Sequence, residues 1–190
     1  MKKYFRLYDD MQESHPWFIE GPYNANNQLV DDNLFTGCQR YLDEIPQLHF
    51  KMVQYGKYEN FTMAAFEIPV VSNAIGQLLN VHASQAVQLI PVTVQGRTDA
   101  HWIVNVIDKA FCLNEEDSTI MWWKAEDERP DKIGKYRMVT NLTLSKEKLT
   151  SSPIFRLGGW EAAIIIGEEL KSLLEAASVT GVRFKEIEAK

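Results

Sequence analysis

Hydrophobic positions along this chain recur with two different periods, and the change from one to the other is clearest in the last third. Ile154-Phe155-Arg156-Leu157 predicts a strand, Gly158-Gly159 a tight corner, and the apolar run from Ala162 to Ile166 a second strand. Leu170, Leu173, Leu174 and Ala177 then fall on one helical stripe. Glu168 and Glu169 stand at its amino end, where the helix dipole favours anions, and Lys171 follows on the polar side. The stripe is expected to face the core, its three leucines contributing about 5–8 kcal/mol before chain entropy is counted. Gly181 supplies a permissive backbone for the turn into a final strand around Val182-Arg183-Phe184.

Upstream the pattern is weaker. Tyr4 to Tyr8 alternates like a strand with one buried face, ended by Asp9 and Asp10. Residues 13–33 hold Pro16, Gly21, Pro22 and a run of Asn, which predicts a loop around a short Trp17-Phe18-Ile19 piece. Order resumes at Leu34-Phe35-Thr36-Gly37, and Leu48 to Tyr55 reads as a short strand. From Phe66 the signal sharpens: Ile68 to Ser72 is extended, and Ser72 is a candidate N-cap for a helix whose face carries Ile75, Leu78 and Leu79. Gln85 to Val94 and Trp102 to Ile107 form the best hairpin candidate, turning through Gln95-Gly96-Arg97. Ile120 to Trp123 and Tyr136 to Leu144 read as further strands, with a turn over Ser145 to Leu149. The fold class predicted is α+β: one domain over 1–190, looser up to about residue 65, mostly antiparallel sheet with a few short helices and a closing strand–helix–strand unit.

Composition narrows the functional classes. A chain of 190 residues with 45% hydrophobic and 24% charged side chains can bury a sizeable core and is neither disordered nor fibrous. Its 26 acidic and 20 basic side chains give a net charge of −6, which argues against a nucleic-acid partner, because phosphate neutralisation needs clustered Lys and Arg. The amino terminus turns charged before any secretory apolar region could form, and no apolar run approaches the roughly 20 residues of a membrane span. A soluble cytoplasmic protein with no membrane partner is expected, its two cysteines, Cys38 and Cys112, held as free thiols.

Catalytic signatures do not stand out. His15, His49, His82 and His101 show no metal-ligand spacing, and no phosphate-binding or nucleophile-elbow motif occurs. Neither a metal nor a cofactor is expected. Cys112, between Phe111 and Leu113, reads as a small core residue, and Cys38 as the more accessible thiol. His101 reads as a satisfied or solvent-facing imidazole at a strand start. A small hydrolase uniting a thiol or imidazole with carboxylates in the fold remains the alternative class, beside a ligand-binding module or one that pairs with itself as a homodimer.

One stretch goes beyond housekeeping. Between Glu115 and Asp131 seven acids face two bases, and the apolar island Ile120-Met121-Trp122-Trp123 lies among them. Adjacent strand residues point to opposite faces, so Trp122 and Trp123 cannot both enter one core layer. An apolar centre with a charged rim is the anatomy of an interface hot spot. The candidate partner-binding residues are therefore Glu115, Glu116, Asp117, Trp122, Trp123, Glu126 and Asp127.

A family resemblance is spread over most of the chain. Phe35-Thr36-Gly37, Ile68-Pro69-Val70-Val71-Ser72, Gln88-Leu89-Ile90-Pro91-Val92, Trp102-Ile103-Val104-Asn105-Val106, Phe111-Cys112-Leu113 with Ser118, Ile154-Phe155-Arg156-Leu157, Leu170-Lys171 and Thr180-Gly181-Val182-Arg183-Phe184 carry it in order and spacing. Together they resemble the immunity-protein family eleven of bacterial polymorphic toxin systems, departing from it at Asn114, where that family tends to have Asp. The resemblance implies a non-enzymatic protein that binds and neutralises a cognate protein toxin by occluding it. It brings no defined site residues with it.

Overall fold

The computed structural model describes residues 2–12, 15–41, 44, 46–65 and 67–190, with the Asp131 side chain left aside. Residues 13 and 14 of the expected amino-terminal loop, and Phe66, fall outside the described residues. The strands in chain order are β1 (Tyr4–Asp9), β2 (Phe18–Tyr23), β3 (Leu48–Gln54), β4 (Phe61–Ala64), β5 (Ile68–Ser72), β6 (Val87–Val94) and β7 (His101–Val106). They continue with β8 (Lys109–Ala110), β9 (Thr119–Trp122), β10 (Tyr136–Thr140), β11 (Thr143–Leu144), β12 (Ile154–Leu157), β13 (Trp160–Gly167) and β14 (Val182–Ala189). The helices are α1 (Asn33–Thr36), α2 (Asn73–Ala83) and α3 (Glu168–Ala176).

These strands build two six-stranded sheets, β11-β14-β1-β13-β12-β8 and β2-β3-β6-β7-β5-β4, and a separate two-stranded ribbon of β9 and β10. Pairing is antiparallel except where β3 meets β6, β12 meets β8 and β11 meets β14, so the architecture is the α+β class expected. The isoleucine run of β13 shows why its strand lacks polar alternation. Ile164 and Ile166 face a core shared by both sheets with α2 and α3, while Ala163 and Ile165 face a second core beneath β9–β10. A strand buried on both faces needs apolar residues at every position.

The closing unit follows its pattern with one correction. Leu170 and Leu174 are buried and Leu173 is half-buried, but Ala177 is exposed because α3 ends at Ala176 and Ala177 already serves as its C-cap. Lys171 lays its ammonium over the Phe5 and Phe184 rings, 5.0 and 5.8 Å from their centroids, so its stem covers apolar surface. Three further differences are local. Gly21 and Pro22 lie inside strand β2, at the sheet edge where a missing N–H breaks no ladder bond. Asn141, at φ 49°, interrupts the long strand expected from 136 to 144 and leaves β10 and β11 in different sheets. Ser72 has the extended backbone of an N-cap, yet its hydroxyl makes no capping bond.

Asp9, at the end of β1, accepts the Met63 N–H at 3.2 Å and so ties the first sheet to β4. Burial raises its carboxyl to about 6 from 3.8, with the Met63 bond opposing the shift. The folded state therefore holds its proton more tightly than the unfolded chain, and this group's contribution to stability falls as pH rises from about 4 to about 6. Above that window the charge costs about 1–2 kcal/mol, less than the full shift implies because solvent screens a half-buried carboxylate. Asp9→Asn, which keeps an acceptor for Met63, is expected to raise the urea midpoint at pH 8 and to leave it unchanged near pH 4. Equal midpoint shifts at both pH values would show that the charge is not the cause.

Candidate functional site

The ribbon is held to the body by one face. Ile120 and Val139 pair across it and pack on the core beneath the first sheet, Val139 buried and Ile120 half-buried. Alternation sends their neighbours outward: Met121 and Met138, also cross-strand partners, are each 50% exposed. An irregularity between Tyr136 and Met138 sets Tyr136 opposite Trp122, and the two rings meet edge to face at 4.8 Å. Trp122 remains 40% exposed, while Trp123 is half-buried just beyond the strand end.

The acids around this ribbon have distinct local partners. Glu115 accepts the Tyr136 hydroxyl at 2.5 Å, and burial together with that carboxylate pushes the phenol up to about 12. Asp117 accepts from the Asn114 amide at 2.8 Å and lies 3.4 Å from the Lys190 ammonium. Asp127 takes the Lys124 N–H at 2.8 Å and pairs with the Arg137 guanidinium. Glu126 lies 3.3 Å from Lys124, and Glu116 has an exposed side chain. Glu115, Glu116, Asp117 and Trp122 thus lie on or beside the ribbon itself. Glu126 and Asp127 sit in the segment joining β9 to β10, which makes two short turns, at Ala125–Asp127 and Pro130–Lys132.

Trp123 keeps different company. Arg129, Lys132 and Arg137 approach its ring at 6.0, 5.3 and 5.1 Å, so its immediate electrostatic partners are cations. Charge counting along the sequence could not reveal this, because which of the nearby charges meet the ring is set by how the connecting segment and β10 fold around it.

Groups with the chemistry of a hydrolase are dispersed. Cys112 is fully buried, and its thiol is pushed up to about 11 by burial. Burial also raises Cys38, against the pull of Arg156 and Lys109, and its thiol points to the Thr36 carbonyl at 3.7 Å. Both thiols are poor nucleophiles, since the thiolate is the reactive form. His101 is buried, with Nδ1 3.0 Å from the Asp99 carbonyl and Nε2 3.3 Å from the Tyr58 hydroxyl. Burial lowers its pKa, favouring the neutral ring. Among the described residues neither thiol bonds an imidazole, and no group of three His, Cys, Asp or Glu is placed to hold a metal ion. No helix among them is long and apolar enough to cross a membrane.

One residue without any motif proves central. Arg156 in β12 is completely buried, and its guanidinium donates to the carbonyls of Glu161 at 2.6 Å, Glu67 at 2.8 Å and Phe35 at 3.4 Å. The only hint in the sequence is a charge inside the otherwise apolar Ile154-Phe155-Arg156-Leu157.

In a comparison with known families, the family described as Immunity protein family (Imm11) matches residues 4–189. No curated protein matches the chain.

Proposed function

This chain belongs to the Imm11 immunity protein family, and from that premise we propose that it binds a cognate toxin through the outer face of the β9–β10 ribbon and occludes the toxin's working surface. Family membership implies a toxin-neutralising, non-enzymatic role. The observation that supports the location is the exposed pair Met121 and Met138 on the outward face, with the 40% exposed Trp122 at the end of its strand, on a ribbon that stands outside both main sheets. Exposed apolar groups side by side on one rigid element mark contact surfaces more often than isolated ones do. Along the chain Glu115, Glu116 and Asp117 precede these residues and Glu126 follows them, which supports an acidic rim around an apolar centre. Such a rim speeds encounter with a basic toxin, and the aromatic and Met anchors hold it once docked.

Co-expression with the toxin encoded beside this gene tests the role directly. Protection and a one-to-one complex on sizing are expected; continued killing with no complex would remove the reading. Trp122→Ala combined with Met138→Ala should weaken the complex by about thirtyfold or more, a hot-spot loss, with only a modest fall in melting temperature from the lost Trp122–Tyr136 contact. Glu116→Lys is expected instead to slow association at low salt and leave the lifetime of the complex nearly unchanged. Full affinity in the double variant would move the interface elsewhere.

A further inference from the structure

Where its strands meet the connecting segment, the ribbon closes a cleft of about 330 Å³ against the β12–β13 corner and the end of α1. Lys109 in β8, Lys132 and Lys135 in the connecting segment and Arg137 in β10 all line it, together with the carboxylates of Glu67 and Glu161. In a chain of net charge −6 this gathering of cations runs against the overall field.

Local pairing answers two of them. The Lys109 ammonium lies 3.4 Å from Glu161, and Arg137 is paired with Asp127. Lys132 lies over the Trp123 ring and has no ion pair among the described residues, and exposed Lys135 has neither an ion pair nor a side-chain hydrogen bond among them. Behind the cleft Arg156 adds a third charge. Its guanidinium is spent on the backbone carbonyls of Glu161 and Glu67, two residues of the cleft wall, and no described carboxylate forms an ion pair with it. Among the described side chains, Lys132, Lys135 and Arg156 therefore leave the cleft with more positive charge than Glu67 can balance. Positive charge gathered on a low-dielectric concavity attracts counter-ions and holds them more strongly than open surface does.

We propose that this cleft is a binding site for a small phosphate-bearing ligand. Its volume is at the lower end of the roughly 300–1,000 Å³ typical of small-molecule sites. Compact ammonium groups are established phosphate binders, and a dianion matches the surplus that a single carboxylate would leave half neutralised. Lys132 and Lys135 are set one turn apart by the Lys135 N–H to Lys132 carbonyl bond of 2.9 Å, so both reach the cleft from one rigid turn. Arg156 acts through its field, since its two terminal nitrogens already donate to carbonyls. The site uses Trp123 and the connecting segment and does not depend on the toxin reading, which rests on Met121, Trp122 and Met138, none of which lines the cleft.

Calorimetric titration of the full chain with inorganic phosphate, pyrophosphate and AMP tests this, with adenosine as the uncharged control and a glutamate-rich peptide as the competing acidic class. Saturable binding of at least one phosphate probe and none of adenosine is expected, accompanied by a change in tryptophan fluorescence because Trp123 and Trp160 line the cleft. Inorganic phosphate binding as tightly as AMP would assign free phosphate; a preference for AMP would assign a phosphomonoester. Lys132→Gln with Lys135→Gln should weaken binding about tenfold or more, whereas Lys171→Gln, far from the cleft, should not. Lys135→Gln alone, at an exposed side chain, gives a smaller loss in the same direction and guards against misfolding of the double variant. No saturation with any phosphate probe, unchanged affinity in the Lys132/Lys135 variants, or tighter binding of the peptide than of every phosphate probe would overturn the proposal.

Discussion

Replacing Arg156 with alanine is expected to destabilise the protein by about 4 kcal/mol, read as a lowered urea midpoint with an unchanged slope. The residue is fully buried, so truncation leaves a cavity the size of a long side chain. It also strips donors from three carbonyls. Those of Phe35 and Glu67 belong to the half of the molecule built on β2 to β7, and that of Glu161 to the first sheet, so the guanidinium fork ties the two halves together. Arg156→Met separates the causes. It fills most of the space and removes the buried charge, whose desolvation lowers the pKa of Arg156, while still leaving the carbonyls unserved. A loss of about 2 kcal/mol is expected for Met, clearly below that for Ala. Equal losses would mean that the three hydrogen bonds carry the whole effect.

The second large effect is expected at Gly181. A Cβ built there would stand 2.1 Å from the Phe61 carbonyl oxygen and 2.8 Å from the Glu59 Cβ, on a backbone at φ +81°. The turn between α3 and β14 is also stitched to β4: Thr180 and Asn60 exchange two hydrogen bonds, at 2.7 and 3.0 Å, and the Gly181 carbonyl accepts the Asp10 N–H at 2.9 Å. Gly181→Ala must push the turn off β4 and break that stitch, costing about 3 kcal/mol or more. Gly134 is the natural control. It has the same φ of +81° with nothing within 4 Å of its Cβ position, so Gly134→Ala reports the dihedral strain alone, about 1 kcal/mol. Equal shifts at the two positions would refute the close-contact argument.

The sheet interior was the most legible part of the chain. β12, β13, α3 and β14 follow from the change of period between residues 154 and 189, and β6 and β7 pair as an antiparallel hairpin as their apolar content predicts. What escaped was short or punctuated. β4 is four residues long and gives too little periodicity to read, and Gly21-Pro22 masks a strand because turn residues are tolerated at a sheet edge. In the candidate site, the two strands around Ile120 and Val139 could be read from their apolar positions, but not their pairing as a ribbon. Nor could the partners of its two tryptophans. Seven acids between Glu115 and Asp131 suggest an acidic surround for both rings, yet Trp123 meets Arg129, Lys132 and Arg137. Arg156 had no motif at all, because its partners lie 5, 89 and 121 positions away and are backbone carbonyls that any residue type presents.

Residue order alone settled the fold class, the buried strands and the family, since each depends on apolar spacing or on motifs read in sequence. Three-dimensional packing alone decided which charges meet which rings, where the cleft opens, and that a buried guanidinium joins the two sheets. The division has a physical cause: hydrophobic burial is non-directional and leaves a periodic trace in the chain, whereas ion pairs and hydrogen bonds depend on ångström-scale distances between segments that only the folded backbone brings together.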